Sequence, residues 1–309
     1  MSGVVGWLGI QDYWPGSQGA LCLKKPNSEN IFYVFSVRDN NYPYPMFYYT
    51  IDMSLNGGLG DIIDTTHIQG RDGVAEKIAS AYHHNKQDIW IVTRDFNTDS
   101  YTSFLLNSNG LNPTPVMRPA PDRDLFEGPD NWGHSKFSYN KKYFVSCFYG
   151  ANSQDDAAIE ICSFNDITGE ITFLYSFKLQ EILSFPMTIA YNLEFSPDSK
   201  FLYLGGYTGI DTTVRIFQFD MKFIEDKNLF LQSSIIVGQG QGYNLQLAPD
   251  GKIYCLAEYP AGIAGLGLDK TYGIIHQPQN KGLACDYEPN AYEFSHGELY
   301  FPGINFMTD

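Results

Sequence analysis

Apolar and polar positions alternate along this chain in short runs, and the runs come in pairs. The stretch Tyr191–Leu204 shows the unit. Leu193 and Phe195 alternate with Asn192 and Glu194, Pro197-Asp198-Ser199 follows, and Phe201–Leu204 forms an aromatic and aliphatic run that stops at Gly205-Gly206. Period-two alternation predicts a half-buried strand. Proline presets φ and Asp bonds its own backbone two residues on, so the middle predicts a tight turn. The whole reads strand, turn, strand, and Asn244–Ala257 repeats it with Pro249-Asp250-Gly251 at the turn.

Four further copies align on this unit: Ala20–Val37, Ile78–Thr93, His134–Phe148 and a shortened Ala291–Phe301. Their spacing of roughly 50 residues is that of a four-stranded propeller blade, not of a helical solenoid. Two more strands should follow each copy. Met46–Asp52 and Gly60–His67 follow the first, and Ala158–Phe164 and Ile171–Phe177 the third. Val214–Phe219 and Phe230–Val237 follow the fourth, and Ile263–Leu268 and Tyr272–His276 the fifth. The second is followed by Tyr101–Leu106 and then a Pro-rich stretch, Asn112–Asp130. No strong helix is predicted; Gly73–Ala81 makes one helical turn at most. The expected fold is one all-β domain over 1–309. It is a β-propeller of four-stranded blades, six or seven in complete form, with the first blade missing and the last incomplete.

Composition agrees. The 309 residues include 22 Tyr, 22 Phe and 29 Gly with only 18% charged residues, which suits short strands joined by tight turns. A net charge of −15 argues against a nucleic-acid partner, which needs a basic surface to displace counterions. No apolar run is long enough to enter a bilayer as a span. The N-terminus lacks the basic-then-apolar pattern of a signal peptide. The cysteines Cys22, Cys147, Cys162, Cys255 and Cys285 have no C-x-x-C spacing, so neither zinc nor redox chemistry is expected. Cys147, Cys162 and Cys255 lie in apolar strands and read as small buried hydrophobes.

The phrases Phe195-Ser196-Pro197-Asp198 and Leu247-Ala248-Pro249-Asp250-Gly251-Lys252 carry a resemblance, as do Glu76-Lys77-Ile78 with Asp88-Ile89-Trp90-Ile91-Val92 and Tyr48-Tyr49-Thr50-Ile51-Asp52-Met53. Along nearly its whole length the chain resembles the N-terminal β-propeller region of Bacteroidetes surface proteins with PKD-like repeats, exported by the type IX secretion system through a type B sorting domain. The hairpin that opens the family is missing, and Met1-Ser2-Gly3 looks like the residues that follow it, so the chain reads as N-terminally truncated. The resemblance implies an extracellular or outer-membrane location, a gliding- or adhesion-type role and further domains as partners. It supplies no catalytic residues.

The remaining candidates are weaker. Asp95, Asn97 and Asp99 have the spacing of a calcium loop, but Ser100 and Leu106 stand where Gly and Glu belong. His83 and His84 read as an exposed turn, and His67, His134, His276 and His296 are scattered over four blades. Gly238–Gly242 precedes a strand, not the helix a phosphate cradle needs. No Gly-x-Ser-x-Gly elbow occurs. Glu76-Lys77 offers a base with a partner, but a solvated ion pair is the better reading. Tyr13, Trp14, Tyr42 and Tyr44 are the candidate ligand-binding residues, as rim aromatics able to stack on a sugar or anchor a protein. The function expected is a non-enzymatic structural or binding module for protein or glycan, without cofactor or metal. The alternative is a lactonase-like propeller hydrolase, whose channel calcium would need Glu, Asn and Asp to converge.

Overall fold

Five of the six strand–turn–strand phrases fold as the first hairpin of an antiparallel sheet, and residues 294–301 of the sixth lie outside the described residues. The computed structural model describes residues 18–37, 45–95, 100–119, 133–148, 158–182, 189–207, 214–240, 244–256 and 271–293. The first sheet runs β1 (Ala20–Lys24), β2 (Ile31–Ser36), β3 (Pro45–Asp52), β4 (Asp61–Asp72). The second runs β5 (Val74–Tyr82), β6 (Ile89–Asp95), β7 (Ser100–Asn107), with β8 (Gly110–Leu111) and β9 (Val116–Pro119) both paired to β7. The third is β10 (Ser135–Phe137), β11 (Tyr143–Phe148), β12 (Ala158–Phe164), β13 (Ile171–Lys178). The fourth is β14 (Ile189–Phe195), β15 (Phe201–Tyr207), β16 (Val214–Asp220), β17 (Ile235–Gln239). The fifth is β18 (Asn244–Leu247), β19 (Ile253–Leu256), β20 (Thr271–Ile275), β21 (Tyr287–Glu293).

The turns show why the phrase recurs. In four of the hairpins one backbone bond closes the bend, from Lys86 N to His83 O, Lys141 N to Ser138 O, Ser199 N to Ser196 O and Gly251 N to Ala248 O, each at 2.8–2.9 Å. The donor in each sits at positive φ, between 57° and 80°. Only Gly251 adopts that region without a steric cost.

First strands contact first strands from sheet to sheet: β1 with β5, β5 with β10, β10 with β14 and β14 with β18. The apolar core is accordingly a series of layers. One joins the first and second sheets around Phe35, Ile91 and Phe104, and another the second and third around Trp90, Phe144 and Phe164. A third joins the third and fourth sheets around Ile161, Phe177, Phe195 and Phe219, and the last the fourth and fifth around Tyr203, Leu245 and Cys255. Each buried aromatic contributes about 1.5–3 kcal/mol, and no layer could form from one blade alone. This is the β-propeller arrangement. Cys147, Cys162 and Cys255 are buried within these layers, as their apolar context predicts.

Three elements depart from expectation. Gly73–Ala81 is not helical: Val74–Tyr82 is strand, with all but its last residue buried. Phe230 is not in a strand. It lies in a short helix, α1 (Lys227–Gln232), capped by the Asp226 carboxylate accepting from Leu229 N at 3.1 Å, and it stacks on Phe219 at 5.0 Å. In the fifth sheet β20 is the third strand, and β21 is the fourth. Ala291–Glu293, which open the sixth phrase, therefore belong to β21. Two glycines make room for this strand: a Cβ at Gly238 or Gly273 would meet the Tyr287 ring at 2.6 or 2.9 Å.

Candidate functional site

Charged side chains are buried where the second and third blades meet. Lys77 on β5 and Arg94 near the end of β6 are 1% and 3% exposed, and Glu160 on β12 is 1% exposed. The Lys77 ammonium lies 3.4 Å from the Phe148 ring centroid and donates to the Cys147 carbonyl; the Arg94 guanidinium lies 4.5 Å from the same ring. Arg94 Nη2 reaches Glu160 Oε1 at 3.3 Å, and the Tyr101 hydroxyl donates to the other carboxylate oxygen. The Phe148 ring is thus in contact with both basic groups, while the carboxylate is engaged by Arg94 and Tyr101. The expectation of a solvated Glu76-Lys77 pair is corrected, since both residues are buried.

This placement changes the chemistry of the lysine. Burial lowers its pKa to about 7, Arg94 pushes it the same way, and nearby Glu160 and Glu76 oppose the shift in part. Burial and Glu160 hold the Tyr101 hydroxyl protonated well above its ordinary range. The Cys147 thiol is pushed up to about 12 by burial, which keeps it a neutral neighbour. Lys77 is the group here that changes charge near neutrality.

Next to it begins a polar row across the first strands. Cys147, whose carbonyl takes Lys77, donates its own N–H to the His134 carbonyl at 2.8 Å. Gly133 makes this approach possible: at φ +113°, a Cβ there would lie 2.8 Å from the Cys147 carbonyl oxygen. His134, Asn192 and Asn244 occupy equivalent positions before the turns of three consecutive blades. Asn192 Nδ2 lies 2.8 Å from both His134 Nδ1 and Asn244 Oδ1. Asn192 is 2% exposed, and its Oδ1 is buried with no hydrogen-bond partner. Gln18 ties the strands together from the start of the first blade. Its N–H donates to the Glu76 carbonyl at 3.1 Å, and its amide pairs with both N and O of Ser135.

Two residues further along the same strands lies a second level, Lys136, Glu194 and Gln246. Lys136 Nζ meets Glu194 Oε2 at 2.5 Å. Glu194 also accepts from Tyr139 OH at 3.2 Å and from the N–H groups of Phe195 and Leu247 at 2.9 Å. This carboxylate is saturated by three blades and acts as a lock between them.

The rim candidates Tyr13, Trp14, Tyr42 and Tyr44 lie outside the described residues, as do Asn97, Asp99 and His296. His83 is held in its turn by Asn85 N at 3.0 Å and the Ile167 carbonyl at 3.1 Å, and His276 by Glu288 at 2.8 Å. Among the described residues no group of three or more His, Cys, Asp or Glu is placed to hold a metal ion. Glu160 and Glu194 are already engaged by protein donors. Sequence reasoning missed Arg94, Tyr101, Glu160, Asn192 and Asn244. For Asn192 and Asn244 the available signal was a polar residue at one position in successive copies.

No family model matches the chain, and no curated protein matches it. Among solved structures, it is similar to a putative 6-phosphogluconolactonase from Bacteroides uniformis, with 15% identity, 75% of this chain and 76% of that chain covered, and a TM-score of 0.43. It is also similar to the GH74 xyloglucanase from Xanthomonas campestris, with 12% identity, 92% and 40% covered, and a TM-score of 0.47. The Nup133 β-propeller domain of Vanderwaltozyma polyspora gives 11% identity, 80% and 81% covered, and a TM-score of 0.44. The chain spans less than two thirds of the xyloglucanase. These likenesses concern the fold alone. The expectation that the chain is no enzyme is corrected to this extent: solved structures of similar fold include ones named as enzymes, so this fold does not exclude catalysis.

Proposed function

We propose that the protein is a propeller enzyme of the hydrolytic kind, acting on a small ester or lactone that carries or releases an anionic group. The observation that carries this reading is the pairing of Lys77 with Arg94 on the Phe148 ring. Two buried cations beside one engaged carboxylate are a costly way to join two blades, since apolar residues of similar volume do it as well or better. Strongly perturbed groups of this type concentrate at functional sites. With a pKa of about 7, Lys77 is part neutral amine at physiological pH and is matched to general-base work. In the proposed step the amine takes a proton from water as the water oxygen bonds to the carbonyl carbon. The C–O bond then breaks, and the proton goes to the leaving alkoxide. The carboxylic acid so formed releases its remaining proton to solvent, and Arg94 stabilises the carboxylate that results. No step uses calcium. The resemblance to Bacteroidetes surface propellers supports placing this activity outside the cell.

The test is a panel of lactones and esters followed by pH-stat. Wild-type rates should rise through pH 7, and Lys77→Met should lower them at least about 100-fold, the usual worth of a positioned base. Equal rates in the variant, or no turnover of any member, would overturn the proposal.

A further inference from the structure

The hairpin joining β3 to β4 displays apolar side chains to solvent. Met53, Leu55, Leu59, Ile62 and Ile63 are 37%, 41%, 81%, 40% and 51% exposed. They are five of the twelve exposed large hydrophobics among the described residues, and the other seven are spread over the remaining four sheets and their turns. Single exposed apolar residues are ordinary, whereas a cluster marks an interaction surface. The cluster is also held in place. The Asp52 carboxylate accepts from Ser54 N at 2.9 Å and from Ser54 Oγ at 2.6 Å, and Gly58 N and Gly60 N both donate to the Leu55 carbonyl. Gly60, at φ +80°, lets Met53 fold back, since a Cβ there would stand 2.6 Å from Met53 Sδ. A partner meets these side chains already ordered, so little conformational entropy is lost on binding.

The charge around the cluster selects the partner. Asp52 and Asp61 stand opposite each other across β3 and β4, and Asp64 follows on β4. No Lys or Arg occurs from Ile51 to Ile68, and Asp52 and Asp61 have no ion-pair partner among the described residues. Like charges placed opposite each other in a sheet repel. The Ser54 hydrogen bonds hold the Asp52 carboxyl below its usual range, so it is charged at neutral pH. The outer strand β4 carries neither the Lys nor the Pro that commonly blunts a sheet edge. A second copy of this chain would set acid against acid, and an anionic bilayer would do the same. A basic segment relieves the repulsion.

We infer that the β3–β4 hairpin docks an extended segment of another protein that carries both apolar and basic residues, the apolar ones on Leu55, Leu59 and Ile62 and the basic ones at Asp52 and Asp61. The inference is independent of Lys77 and of any hydrolysis.

The experiment is fluorescence anisotropy on the full chain with a labelled peptide of alternating Lys and Val, and with control peptides of alternating Glu and Val or Lys and Gly. The wild type should bind the Lys-Val peptide at least about tenfold more tightly than either control, and at least about threefold more weakly when NaCl rises from about 0.05 M to about 0.5 M. Leu59→Ser should weaken binding at least about tenfold, the usual worth of covering one leucine. Asp61→Asn should reduce the preference for Lys over Glu. Leu283→Ser, at an 80% exposed leucine of the fifth sheet, should change nothing. These side chains are exposed, so the variants should fold. No binding of the Lys-Val peptide, equal binding of the Glu-Val peptide, or full binding by Leu59→Ser overturns the inference. So does self-association in sedimentation, or flotation with phosphatidylcholine vesicles, that Leu59→Ser abolishes, because the hairpin then belongs to a second copy or to a membrane.

Discussion

Replacing Lys77 by Met should change how stability depends on pH, and the size of the change follows from its burial. A free lysine titrates near 10.4, whereas Lys77 in the folded chain titrates at about 7. Between those values the unfolded chain binds a proton that the folded chain does not. Stability therefore rises with pH across the window, by about 1.4 kcal/mol per unit at most. Below pH 7 both states are charged and the burial penalty is at its full size; above about 10.4 neither is charged and the penalty is gone. Methionine carries no such term. It leaves the Cys147 carbonyl without its donor, at a cost of about 1–3 kcal/mol that does not vary with pH.

The variant should therefore compare best with wild type at pH 6. Its relative stability should fall by about 2–3 kcal/mol between pH 7 and pH 9. Denaturant unfolding of both proteins at half-unit steps measures this. The difference between the two curves is the informative quantity. Cys147, Cys162 and Cys255 have raised thiol pKa values and stay protonated in the fold, so stability falls in both proteins as the unfolded thiols ionise. A difference that is flat from pH 6 to pH 9 would mean that Lys77 keeps its ordinary pKa, and the buried site as described would be refuted.

Other perturbations test the blade contacts. Glu194→Ala removes the carboxylate shared by Lys136, Tyr139 and two backbone N–H groups, and should cost about 3–5 kcal/mol in denaturant unfolding because Lys136 is left buried and unpaired. Gly169→Ala would place a Cβ 2.5 Å from the Trp90 ring at a φ of +74°, and should lower stability by about 1–3 kcal/mol with a shift in tryptophan emission. Cys22 is the exposed cysteine and the other four are buried, so a thiol reagent should label one site quickly in the folded protein and five after denaturation.

The repeat was legible because its causes are local. Alternation sets the strands, and a single backbone bond from the same place in each turn sets the hairpins. The outer strands were less legible, since Phe230 and Tyr287 take their places from contacts with Phe219, Gly238 and Gly273 rather than from their own neighbours. The site was hidden for a different reason. Reading alternation as inside and outside assumes that the polar face of a strand meets water, which holds for a sheet packed on one side. In a propeller both faces of the first strands are covered by neighbouring blades. Asn192 and Glu194 alternate with Leu193 and Phe195, yet all four are buried, and Glu160 lies between Ile159 and Ile161 with all three buried. The polar positions then have to satisfy one another across blades. That requirement does leave a trace in the chain, because the partners must stand at equivalent places in successive copies: His134, Asn192 and Asn244 in one rank, Lys136, Glu194 and Gln246 in the next. A solvated rank has no reason to avoid lysine repeats or to alternate acid with base. A rank that pairs with itself does, and Lys136 against Glu194 shows the pairing.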